Sequence, residues 1–128
     1  MSRILGTDVE SGIVSIQFLD ELDAETITSG VVDGIAMADA SHWNRLCWDC
    51  RSATLKLTTL EIYSLPDRVA DRMAGMSIHK HRHAIVYSSN SDDYRFLQTM
   101  FRNRGYTAAV FTDMESATHW LTASLGDS

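Results

Sequence analysis

Residues 46–61 read LCWDCRSATLKLTTLE. The run Leu46–Cys50 is apolar apart from Asp49, the composition of a strand buried on both faces. A loop is expected after it. A helix is expected to open at Thr58, because Thr58 and Glu61 fit the capping box S/T-x-x-E. Strand, loop and capped helix form half of a β-α-β unit, so the flanking sequence decides whether the chain continues as an alternating α/β fold.

It does so in both directions. Ile4–Val9 and Ile13–Phe18 are short alternating runs joined by Glu10-Ser11-Gly12, which predicts a hairpin. Asp23 then starts a helix with Glu25 in its first turn and Ile27, Val31, Ile35 and Ala38 at helical spacing. Gly30 and Gly34 lie four apart on that helix and suit close packing on a sheet. Beyond Thr58 the helical pattern runs to about Gly75. Pro66 should interrupt it, giving a short turn and a second start capped by Ser64. His83–Ser88 reads as a strand. Asp92–Arg104 reads as a helix with Leu97, Met100 and Phe101 inward and Gly105 as terminator. Thr107–Thr112 is the last strand, and Thr112-Asp113-Met114-Glu115 reads as the box opening a final helix with Ala117, Trp120 and Leu121 inward. The order β-β-α-β-α-β-α-β-α predicts an α/β fold. Its mixed, mainly parallel sheet of about five strands carries about four helices, with the first strand antiparallel at one side.

The totals are those of one globular domain over residues 1–128. The chain is 45% hydrophobic, with a formal net charge of −6. That charge argues against a general nucleic-acid binder, which needs a basic footprint. The charge is uneven: net −7 over residues 1–50, +4 over 51–106 and −3 over 107–128. No apolar run approaches the roughly 20 residues of a spanning helix. The opening MSRILGTDVESG lacks a signal-peptide core. A soluble, cytoplasmic protein is expected.

In open α/β sheets, ligands and partners meet the carboxyl ends of the parallel strands. Those ends supply a rim of Asp49, Arg51, Ser52, Thr58, Thr59, Glu61, Ser88, Ser89 and Asn90, with Thr112 and Asp113 beyond. No Gly-rich phosphate cradle accompanies it, no G-x-S-x-G elbow occurs, and no cofactor is implied. Thr58 as a helix cap accounts for a threonine at that place. A phosphate on a hydroxyl there would sit against free N–H groups and the positive end of the helix dipole, so a switch is the alternative. Cys47 and Cys50 form C-x-x-C, but alternation along a strand sends them to opposite faces, which suits inert buried thiols.

The stretch WDCRSATLKLTTLE and the order of elements resemble the STAS domain, the SpoIIAA-like family of anti-sigma factor antagonists. The C-terminal YTAAVFTDMESATHWL is similar to the ending of small SpoIIAA-like bacterial proteins. In that family an Asp-Ser-Ser-Gly run opens the helix and carries the phosphoacceptor. Here it falls on Leu57-Thr58-Thr59-Leu60, with leucines at the Asp and Gly positions. The resemblance implies a non-enzymatic regulatory domain with Thr58 or Thr59 as acceptor and Asp49 as the strand-end aspartate. It also implies a protein partner of the kinase/anti-sigma kind.

Other readings stay open on residues alone. His79, His81 and His83 would share one face of a strand and could ligate a metal, Cys47 and Cys50 included. A solvated basic loop and a pH-sensitive contact are the alternatives. Ile27, Ile35, Met37, Trp43, Met73 and Met76 would permit a small-molecule or lipid carrier with a pocket under the first helix. Trp43, placed in a loop, could anchor a homodimer.

Overall fold

The computed structural model describes residues 3–73 and 80–123. The hairpin forms from β1 (Arg3–Asp8) and β2 (Ile13–Leu22), turning at Gly12, whose φ of 70° a glycine adopts without strain. There follow α1 (Ala24–Ala40), β3 (Arg45–Leu55), α2 (Thr59–Arg72), β4 (Arg82–Val86), α3 (Ser91–Asn103), β5 (Thr107–Phe111) and α4 (Met114–Thr122). The five strands lie in sequence order, β1 antiparallel to β2 and all other pairs parallel. Order, count and direction match the expectation.

Three helices cover one face of the sheet. Ile27, Val31 and Ile35 of α1, Ile62, Leu65 and Val69 of α2, and Leu97 and Phe101 of α3 join Val14, Ile16, Phe18, Leu46, Trp48 and Ile85 in the main core. Among the described residues the other face carries only α4, with Ala117 and Leu121 on Cys47, Ala84 and Val86. The glycines of α1 admit the sheet: a Cβ on Gly34 would lie 2.7 Å from Ile16 Cδ1, and one on Gly30 2.7 Å from Phe18 Cε1.

Four local expectations are corrected. The loop after Asp49 is strand: β3 runs on to Leu55, and a bulge sets Cys50 and Arg51 against Phe18. Ala53 and Leu55 are buried while Arg51, Ser52 and Thr54 face solvent, because α4 leaves that part of the sheet open. Pro66 lies inside α2 without breaking it, and Ser64 donates to the Glu61 carbonyl at 3.2 Å instead of starting a second helix. Burial of Leu65, Pro66 and Val69 in the core outweighs the missing N–H. The cap of α4 is Asp113, accepting from Ser116 N at 2.7 Å, not Thr112. Trp43 is half-buried against the core and packs over Gly12, so it is no exposed anchor.

Candidate functional site

The start of α2 stands at the carboxyl edge of the sheet. Thr58 is its N-cap: Oγ1 accepts from Glu61 N at 3.1 Å, and Glu61 Oε1 accepts from Thr58 N at 2.9 Å, a complete capping box. Thr59, one residue on, is exposed, and its hydroxyl makes no hydrogen bond among the described residues. Leu60 is 74% exposed and Tyr63 50%, on the face of α2 turned away from the core. Spaced i and i+3, they form one apolar patch. Arg104 lies over the Tyr63 ring at 5.2 Å and donates to Asp67 through Nε at 3.1 Å. Sequence reading passed over Leu60 and Tyr63 as site residues. The signal was their phase, since both fall off the stripe of Ile62, Leu65 and Val69.

A second cluster lies around the bulge of β3. Arg51 grips Asp49 with two bonds, Nε to Oδ1 and Nη2 to Oδ2, each 2.9 Å. The Arg51 guanidinium holds the Asp49 carboxyl below its usual pKa, and the carboxylate raises that of Arg51. Ser88 donates to the Arg51 carbonyl at 2.9 Å. Asn90, left-handed at φ 63°, forgoes its capping role in α3, and its Oδ1 accepts from Leu55 N at 3.3 Å and from Ser89 Oγ at 3.3 Å. The Ser88–Asn90 turn is thereby tied to the end of β3. Ser52 is exposed on the strand, opposite Leu19. The structure thus joins Asp49, Arg51, Ser88, Ser89 and Asn90. Among the described residues no hydrogen bond or ion pair links them to Thr58 or Thr59. Asp49 also faces the open half of the sheet, lining a groove of about 300 Å³ with Asp8, Ser15, Gln17 and Cys47.

The side chains that would line a carrier pocket under α1 are packed among the described residues. Ile27, Ile35 and Met73 are buried in the main core, with Met37 and Trp43 packed against it; Met76 lies outside the described residues. The described histidines of the run do not lie in a solvated loop. His81 and His83 are both fully buried; His79 lies outside the described residues. His81 Nε2 lies 2.8 Å from Asp39 Oδ1, and His83 Nδ1 accepts from Trp48 Nε1 at 3.2 Å. Their rings are 6.4 Å apart. Among the described residues no group of three or more His, Cys, Asp or Glu is placed to hold a metal. Cys47 and Cys50 are free, buried and on opposite faces, and burial pushes both thiols up to about 12. Among the described residues no helix is long and apolar enough to cross a membrane.

No family model matches the chain, and no curated protein matches it. Among solved structures it is similar to the anti-sigma factor antagonist SpoIIAA in its unphosphorylated form. The identity is 18%, the TM-score 0.49, and the match covers 92% of this chain and 94% of that one.

Proposed function

We propose that this chain is a non-enzymatic protein-interaction domain of STAS type. Its contact face is the start of α2, and phosphorylation of Thr59 controls the contact. The observation that carries the reading is the exposed apolar pair Leu60 and Tyr63 immediately beside two exposed threonine hydroxyls. A leucine so exposed adds nothing to the core of its own chain. A half-exposed tyrosine beside an arginine has the composition of an interface anchor, since both residue types are enriched at such positions.

The two threonines divide the roles that the sequence left open. Thr58 is committed to the capping box, so its hydroxyl serves the fold. The Thr59 hydroxyl makes no hydrogen bond among the described residues and lies one residue inside the helix, where the resemblance to the STAS switch also allows the acceptor. A phosphate there adds roughly −1.5 to −2 charges at the favourable end of the dipole. The same charge faces a partner across Leu60 and blocks an apolar contact by the cost of desolvating it.

Paired variants test this. Thr58→Ala should cost about 1 kcal/mol of unfolding free energy, the usual value of an N-cap, and leave partner capture intact. Thr59→Glu should leave the unfolding midpoint unchanged and abolish capture. Capture retained by Thr59→Glu would reject phosphate control. Capture lost in both variants in proportion to stability would reduce the threonines to a cap.

A further inference from the structure

The two edges of the sheet are treated differently. On β5, side chains of α3 occupy the outward backbone groups: Arg102 Nε donates to the Ala108 carbonyl at 2.7 Å, and Gln98 Oε1 accepts from Val110 N at 3.0 Å. That edge is closed to strand pairing. On β1, among the described residues, no side-chain hydrogen bond occupies the outward backbone groups in this way. It is the terminal strand, and among the described residues no strand pairs with its outer side. Its two charges are turned elsewhere: Arg3 bonds Asp33 of α1 at 2.6 Å, and Asp8 accepts from Ser11 Oγ at 2.7 Å and Glu10 N at 3.1 Å in the turn. Ile4 is 53% exposed, and Val9, just past the strand end, 77%.

Gly6 is the second irregularity. A Cβ there would meet only Ser15 Oγ, at a comfortable 3.6 Å, and its φ is not in the left-handed region. Neither space nor backbone angle in its own chain requires glycine. A glycine inside a strand goes with a bulge, a tight bend or the close approach of another backbone; β1 keeps an unbroken register with β2, which favours the last. Ile4 and Gly6 lie on the same face of the sheet, two residues apart.

We infer that β1 pairs antiparallel with β1 of a second copy of this chain, Ile4 of each copy filling the space over Gly6 of the other. The symmetry selects this occupant. An antiparallel pair about a twofold normal to the sheet keeps like faces together, so opposed residues are an even number apart. With Leu5 on the axis, Ile4 falls opposite Gly6 of the partner copy, and the match occurs twice. The exposed side chain and the vacant position are thus complementary halves of one isologous contact. The two sheets become one continuous sheet, with the unguarded edges consumed and the guarded β5 edges left outside.

Sedimentation equilibrium of the full chain over micromolar concentrations tests this. The wild type should be a reversible dimer. Ile4→Lys and Gly6→Val should each weaken dimerisation roughly tenfold, because symmetry counts each substitution twice. Both should stay folded by circular dichroism, with the midpoint of Gly6→Val at or above wild type, since valine favours strand and restricts the unfolded chain. Amide exchange gives a readout free of substitutions: alternate β1 amides should slow as protein concentration rises. A wild type that stays monomeric, a dimer that both variants retain, or β1 exchange independent of concentration would each overturn the inference.

Discussion

Trp48→Ala is expected to lower the unfolding free energy by about 3–5 kcal/mol, the range for emptying a large aromatic site in a core. Trp48 is the central side chain of β3, 1% exposed. Its ring meets Phe101 of α3 edge-on at 5.5 Å and His83 of β4 at 5.7 Å, so it joins a helix and a neighbouring strand at once. Its indole N–H satisfies His83 Nδ1, and removing it leaves a buried acceptor unpaired besides the cavity. Against a total of roughly 5–15 kcal/mol for a domain, the loss is a large fraction of the whole. Trp48→Phe separates the terms by keeping most of the volume and dropping the donor, and should cost about 1–3 kcal/mol. Urea unfolding measures both. A Trp48→Ala cost below about 1 kcal/mol would show that the site collapses around the deletion and that Trp48 is not the keystone of the main core.

The second large effect is acid lability arising from His83. Its Nδ1 accepts the indole bond, so the neutral ring carries its proton on Nε2, which is buried and has no hydrogen-bond partner among the described residues. Burial, and secondarily the charge of His81, pushes the His83 pKa from 6.5 to about 3. Folding therefore favours the neutral ring, and the unfolded chain binds the extra proton. Stability is fully present above about pH 6.5 and falls as pH drops from there towards 3, at about 1.4 kcal/mol per pH unit for one proton. Asp8, Asp23, Glu25, Asp49 and Asp113 have lowered pKa values, so their contribution is fully present above the ordinary carboxylate range and is lost as pH falls through that range, from about pH 5 downward. The interval between pH 6.5 and about 5 thus isolates the histidine, and roughly 1.5 kcal/mol should vanish across it. His83→Gln, which retains an acceptor for Trp48, should flatten that slope. Equal slopes for variant and wild type would assign the acid sensitivity to another group.

The parts of the fold that were legible in the sequence are those fixed by local chemistry. Asp23 and Thr58 announce the helices they cap, Gly12 announces the hairpin, and alternation of apolar runs with helical stripes leads to the parallel order. The misread parts depend on what covers a residue. Arg51, Ser52 and Thr54 look like loop because their side chains point to a sheet face that α4 does not reach. Pro66 looks like a break because its cost is visible locally and the compensating burial is not. His83 sits in a charge-dense HKHRH run that reads as solvated, whereas its partner Trp48 lies 35 residues away. At the candidate site, the threonines were found by motif. Leu60 and Tyr63 needed the helix phase to be fixed before their exposure meant anything.

The central claim, that the start of α2 is a protein-binding face, is tested most directly by quantitative affinity capture from native lysate. Wild type would be set beside a Leu60→Asp, Tyr63→Asp variant whose unfolding midpoint is measured in parallel. Both side chains are exposed, so the midpoint should stay within the small range of surface substitutions. A protein enriched on wild type and lost from the variant, and released from wild type by phosphorylation at Thr59, is the predicted result. A capture profile identical for the two forms, or no protein enriched on wild type, would contradict it.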